Sequence, residues 1–338
     1  MASLTSLIQP TFLSTTAVPE PNKHYAQDDN SGMNNSNNTD DLFTVMYCPT
    51  NLNPISLSDV HATMSKIYSR QTHPDPNIRQ SIQLVWDKRK AKNPTLFNGT
   101  KFRLASVDIN QDGFPHLNMS ITDYSAYLGT NWNKKLHQMY NGCAGDGQGI
   151  ERCYLSDTLG VGGIVVTKDN YIVLIKRGEN VAEYPAYLDI PGGHPEPSKV
   201  AGCQSSAWEY NEDDDSKFIN ENINMRDVVK ELFQSVIEEI YEEVNIPRNN
   251  LLDLKLLFIM RQTEPLGKPS ATFQLNCNLT SIEIQQYYNQ GPEDASETEG
   301  LVMVEVEKIR CMNVSEMRLE MTPATIGSLI LWKKFNPL

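Results

Sequence analysis

Apolar residues at Val228, Leu232, Val236, Ile240 and Val244 recur every four positions, and Val229, Phe233 and Ile237 widen the stripe. The run 227–245 therefore reads as one long amphipathic helix. Asp227 stands before the stripe as a candidate cap, and Pro247 follows where the helix must end. At about 100° per residue the apolar arc is centred near Ile240 and Val229, with Glu239 and Glu243 on its flank and Glu238 and Glu242 turned further toward water. Glu239 and Glu243 lie one turn apart on one side, so their charges repel unless a cation or a proton lies between them. A solvated acidic face is the alternative reading of the same pattern.

The segments before this helix predict strands at 43–47, 101–108 and 116–121, a helix near 58–67, and a second helix over 75–91, where Ile78, Ile82, Val85 and Trp86 keep helical spacing. The stretch 123–132 reads as a turn of helix entering a loop. Apolar runs at 163–167 and 171–175, joined by the short turn 168–170, predict a hairpin. Beyond the helix, 251–261 and 270–279 predict an antiparallel pair, 281–288 a short helix, 300–306 a strand and 322–334 a closing amphipathic helix. Mixed strands flanked by helices give an α/β class, arranged as an α/β/α sandwich with a mixed sheet. The polar composition of residues 1–41 predicts a disordered tail. A smaller N-terminal α+β module is expected over 42–157, and the main domain over 158–338, with an insertion at about 199–226.

Composition changes this picture little. The 338 residues are 39% hydrophobic and 21% charged, which suits a soluble globular protein. The net charge of −13 and the lack of a basic run exclude a nucleic-acid surface, since phosphate contacts need clustered Lys and Arg. No membrane contact is expected, and cytoplasm is the expected location, with the nucleus as a second compartment. The same acidity would repel an anionic substrate unless bound cations and local arginines reverse the sign within a site. The six cysteines are scattered without a Cys-x-x-Cys pair, so neither a zinc ribbon nor a redox dithiol is indicated, and reduced thiols are expected.

Candidate chemistry clusters in four places. A strand-like run at 188–190 is broken by Pro191, Gly192 and Gly193, and two glycines permit close backbone approach. Lys176 and Arg177 close a strand, where Arg177 offers a bidentate fork to phosphate oxygens and two surface charges are the alternative. Thr130, Asn131 and Trp132 combine hydrogen-bonding groups with an indole, which suits a nucleobase or sugar if they face a cleft, although such an indole also serves packing. The stretch 291–300 is a glycine-bounded acidic loop containing Glu297, with a solvated loop as the alternative.

A glycine loop followed by a helix ending in paired glutamates resembles the Nudix box. Gly193 begins its first half and 238–246 fits its second. The departures are considerable: the family's first glutamate falls at Lys199, its arginine at Glu238 and its late glycine at Asn245. Thirty-nine positions separate Lys199 from Glu238 where the pattern has eight. The phrases 127–132, 159–163, 191–197 and 291–297 are similar to a divergent animal branch of the family that acts on UDP-glucose and UDP-galactose, and the resemblance covers about 42–335. It implies Mg²⁺-dependent hydrolysis of a UDP-sugar to UMP and a hexose 1-phosphate, with Mn²⁺ as an alternative ion. It further implies Glu239 and Glu243 as principal metal ligands, Glu242 as a third or outer carboxylate, a backbone carbonyl of Gly192 or Gly193 as a further oxygen, and Glu297 as the group that activates water. Arg177, Thr130, Asn131 and Trp132 are the candidate substrate contacts. With arginine absent at 238, Lys199 or Lys230 is expected to steady the glutamates. Two alternatives stay open: another nucleoside diphosphate derivative such as ADP-ribose, and a binding module that has lost catalysis.

Overall fold

The computed structural model describes residues 42–140, 152–179, 181, 184–203, 223–263, 267–295 and 298–337. The expected tail, most of the expected insertion and Glu297 lie outside the described residues. The N-terminal half contains β1 (Phe43–Tyr47), β2 (His61–Met64), α1 (Pro76–Lys92), β3 (Thr100–Ile109), β4 (Pro115–Asp123), α2 (Tyr124–Thr130) and α3 (Leu136–Tyr140). Next come β5 (Gly160–Val166), β6 (Tyr171–Arg177), β7 (Leu188–Asp189), β8 (Gly192–Gly193) and α4 (Met225–Val244). The chain closes with β9 (Leu251–Gln262), β10 (Pro269–Cys277), α5 (Ser281–Tyr288), β11 (Thr298–Glu305), α6 (Val306–Cys311), α7 (Val314–Glu320) and α8 (Pro323–Phe335).

The large sheet runs β1-β9-β10-β5-β6-β11, with β7 added to β6 and β8 to β5. It is mixed: β10 and β5 are parallel, and the other pairs are antiparallel. Its central strands are apolar on both faces because helices cover both. Val161, Val165, Val173 and Ile175 turn toward the cluster that holds the buried stripe of α4, whereas Ile164, Ile172 and Leu174 join Ile326, Leu329 and Trp332 of α8. This is the expected α/β/α sandwich. A second sheet, β2-β4-β3, shares the first cluster through Ala62, Met64, Phe102, Leu104, Leu117 and Met119. α4 touches β5, β8 and β2, so one helix joins the two sheets.

Three expectations need correction. The segment near 58–67 is not a helix but strand β2, parallel to β4. Val60, Ala62 and Met64 are buried at alternate positions, and that period-two pattern wins over the helical spacing. The boundary of the first module shifts as well, because β1 pairs with β9 at the edge of the large sheet. The thiols of Cys48, Cys203, Cys277 and Cys311 are free, but Cys153 is disulfide-bonded.

Candidate active site

The central helix begins three residues before its apolar stripe, capped by the Asn224 side chain, which accepts from the Arg226 N–H, rather than by Asp227. It ends at Asn245, whose φ of 63° lies in the left-handed region. Glycine usually fills such a position, and asparagine is the side chain that best tolerates it. The amide of Asn245 also donates to the Tyr287 carbonyl at 2.8 Å, so the change from the box's glycine preserves the turn and gains an anchor.

The glycine loop meets the helix closely. β8 pairs with β5 through Gly192 and Gly193. A Cβ on Gly192 would overlap the Val161 carbonyl oxygen, and one on Gly193 would overlap the Glu239 carboxylate. The Gly192 N–H donates to Glu243 Oε2 at 2.9 Å. Glu231, a residue the sequence pattern did not single out, is buried two turns before Glu239 and accepts from the Glu196 N–H and the Ser235 hydroxyl. Loop and helix are thus fastened at both ends.

Glu243 is only 4% exposed. Burial and the neighbouring Glu239 carboxylate push its carboxyl well above the usual range, against the opposing pull of the Gly192 N–H and Arg177. A buried carboxylate pressed against another carboxylate is relieved by a cation between them, so the pair fits a divalent ion. Glu242 answers to a different set of charges: burial raises it, Lys199 opposes, and Asp294, Glu238 and Glu293 add to the rise. Among the described residues no group of three His, Cys, Asp or Glu side chains is placed to hold a metal. A cation here would therefore take the two carboxylates of Glu239 and Glu243 and otherwise water, a donor set that suits a hard ion with few carboxylate ligands.

Glu243 and the glycine loop face a cavity of about 980 Å³, lined at this part of its wall by Glu243, Gly192, Gly193, His194, Glu196 and Arg177. Arg177 is held by Asp189 at 3.2 Å, and Asp189 in turn accepts from the Thr322 and Thr325 hydroxyls at 2.8 and 2.5 Å. Burial, then Lys268, Lys101 and Arg177, push the His194 pKa well below its ordinary value, and among the described residues its Nε2 has no hydrogen-bond partner. Position 238 carries no arginine; its glutamate pairs instead with Arg248, whose guanidinium also stacks 3.8 Å from the Tyr241 ring.

Thr130 and Asn131 do not reach the cavity. Both are fully buried. The Thr130 hydroxyl donates to the Ala126 carbonyl and accepts from the Ser156 N–H, while Asn131 exchanges hydrogen bonds with Asp157. They fasten α2 to the segment before β5 and are not available to uracil or a hexose. Trp132 is half-buried, and two residues that do line the cavity, Arg89 and Tyr184, pack on its ring at 5.9 and 6.3 Å. The cavity wall also contains Lys101, Lys268, Gln262 and Phe97, which no local pattern singled out. Glu297 lies outside the described residues, but both ends of its loop are placed. The Asp294 N–H donates to the Glu242 carbonyl at 2.9 Å, and Thr298 pairs with Arg177.

No protein-family model matches the chain. Curated relatives do. The uridine diphosphate glucose pyrophosphatase NUDT22 of Mus musculus is 33% identical over 297 residues, covering 87% of this chain and 91% of that protein. Its Homo sapiens counterpart is 33% identical over 279 residues, covering 81% and 87%. Nudix hydrolase 9 of Arabidopsis thaliana is 32% identical over 279 residues, covering 79% and 84%. The chain belongs to the Nudix hydrolase family. Nudix hydrolases are enzymes that cleave diphosphate bonds and generally use divalent metals. Within this Nudix chain no described helix is long and apolar enough to cross a membrane.

Proposed function

We propose that this protein hydrolyses the diphosphate of UDP-glucose or UDP-galactose to UMP and a hexose 1-phosphate, with Mg²⁺ as its metal. The observation that carries this reading is the cavity itself. In a chain of net charge −13, its wall joins Glu243 and the glycine loop to Arg177, Lys101, Lys268 and Arg89, a local reversal of sign that suits a diphosphate. The names of the relatives supply the nucleotide-sugar.

The divalent ion, when bound, neutralises diphosphate charge and acidifies a water molecule. The residues of the chain do the rest. Glu239 and Glu243 hold the cation, and the Gly192 N–H fixes the rotamer of Glu243. Asp189 holds Arg177 on the cavity wall, where its guanidinium is the bidentate group for phosphate oxygens. Glu297 is our assignment for the group that takes the proton from the attacking water, since one end of its loop pairs with Arg177 and the other with the backbone of α4. Tyr184, Phe97 and the amide of Gln262 supply stacking and hydrogen bonding for the uridine and sugar.

The test is to incubate the purified protein with UDP-glucose, UDP-galactose and ADP-ribose, with Mg²⁺ or with EDTA, and to separate the nucleotides by chromatography. Metal-dependent UMP from the UDP-sugars alone is expected. AMP from ADP-ribose alone would keep the reaction and replace the substrate. Absence of product together with a thermal shift by UDP-glucose would overturn the reading in favour of a binding module.

A further inference from the structure

Two ammonium groups share the cavity wall with the carboxylates. Lys101 belongs to β3 of the small sheet, and Lys268 stands at the entry to β10 of the large one. Among the described residues neither ammonium makes a hydrogen bond or an ion pair within the protein; that of Lys268 lies 5.8 Å from the centroid of the Tyr127 ring. Other enclosed cations are engaged. Arg103 donates to the carbonyls of Leu155, Tyr68 and Arg152, and Arg177 is paired with Asp189.

Both lysines are held where they are. Lys268 lies across Gly160: a Cβ there would meet its Cε at 2.7 Å and Nζ at 3.3 Å, with the Gly193 carbonyl oxygen at 3.6 Å. The preceding carbonyl, of Gly267, accepts from Arg152 and Arg261 at 3.0 Å each, so the buried arginine network ends on the residue that aims Lys268. Lys101 is held by the β3–β4 ladder opposite Thr122. Burial lowers its pKa, and Glu196 and Glu239 act in the opposite direction, with Lys268 and Lys199 adding to the fall. The pull of the two carboxylates on Lys101 is thus opposed by burial and by a second ammonium, and an added anion would relieve both ammonium groups. Such a pair is an anion receptor awaiting its anion.

We propose that Lys101 and Lys268 form a two-ammonium receptor for the substrate's phosphate groups, one lysine from each sheet, so that the N-terminal module is part of the active site. The inference rests on the diphosphate reading of the cavity and deepens it. It also places on β3 a cation that acts on Glu239, whereas the box would have placed an arginine on the helix.

The test is calorimetric titration of inorganic pyrophosphate into the full chain in EDTA, for wild type, Lys101→Met and Lys268→Met. Each substitution is expected to weaken binding about tenfold or more, the loss of one charge-assisted hydrogen bond. The metal-free melting temperature is expected to stay level or rise, since the removed ammonium makes no hydrogen bond or ion pair among the described residues. No pyrophosphate binding by wild type, or unchanged affinity in both variants, would overturn the receptor. So would weakened binding accompanied by a fall in melting temperature, which is the mark of a structural part. Because pyrophosphate binding needs neither metal nor turnover, the result decides the receptor whether or not UDP-glucose is hydrolysed.

Discussion

Two carboxylates, Asp157 and Glu243, are buried to nearly the same degree, and their surroundings are opposite. Asp157, 1% exposed, receives Arg152 in a bidentate fork at 2.6 and 2.7 Å and Arg261 at 2.8 Å. Burial would push its carboxyl up, but Arg261 and Arg152, with Arg103 beyond, outweigh that and hold it well below the usual range. Glu243 has one N–H and a distant guanidinium on its side, and burial together with Glu239 drives it the other way. The cations divide likewise. Each nitrogen of Arg103 donates to a carbonyl, whereas among the described residues the ammonium groups of Lys101 and Lys268 make no hydrogen bond or ion pair. Charges that the protein itself neutralises hold the fold together; charges left over mark the place where a metal and an anionic substrate bring the missing sign.

That contrast can be broken from either side. Asp157→Asn should produce the largest change in stability, about 3–5 kcal/mol, because it removes the buried carboxylate that both Arg152 and Arg261 bind; urea denaturation measures it. Since the folded carboxyl titrates below the unfolded value of about 3.9, its contribution is present above that value and is lost as pH falls toward the folded one. The wild type should therefore lose stability on acidification below about pH 4, and the variant should lose less over the same interval. A smaller cost, about 1–2 kcal/mol, is expected for Asn245→Ala, which puts a β-carbon at φ 63° and removes the bond to the Tyr287 carbonyl, whereas Asn245→Gly should recover most of it. The smallest effect has the opposite sign. Glu243→Gln should raise the metal-free stability at neutral pH by about 1 kcal/mol, since it removes a buried charge that the fold leaves unanswered.

The elements were mostly legible because their periods are strong. The stripe through Val228, Val236 and Val244, the two apolar runs of β5 and β6, and the closing helix around Leu329 and Trp332 all took the form their spacing indicates. β2 was not legible: its four residues carry too short an alternation, and only the pairing with β4 settles it. In the site, the carboxylate flank and the glycine loop could be read because both follow from local geometry on one helix and one turn. Thr130 and Asn131 misled for a physical reason. Their side chains have the chemistry to hold a ligand, yet they spend it on Ser156 and Asp157, partners 26 residues away that no local pattern reveals. Lys101 and Lys268 were invisible for the same reason in reverse, since a lysine opening or preceding a strand reads as a surface charge until the other sheet closes over it.

The most direct test is the rate of UMP release from UDP-glucose by Glu243→Gln, at saturating Mg²⁺, beside wild type. The leftover-charge account predicts a fall of about a thousandfold or more, as for loss of a group that stabilises developing charge, in a protein at least as stable as wild type. A wild-type rate in that folded variant would contradict the assignment of Glu243 and, with it, the claim that the uncompensated charges mark the active site.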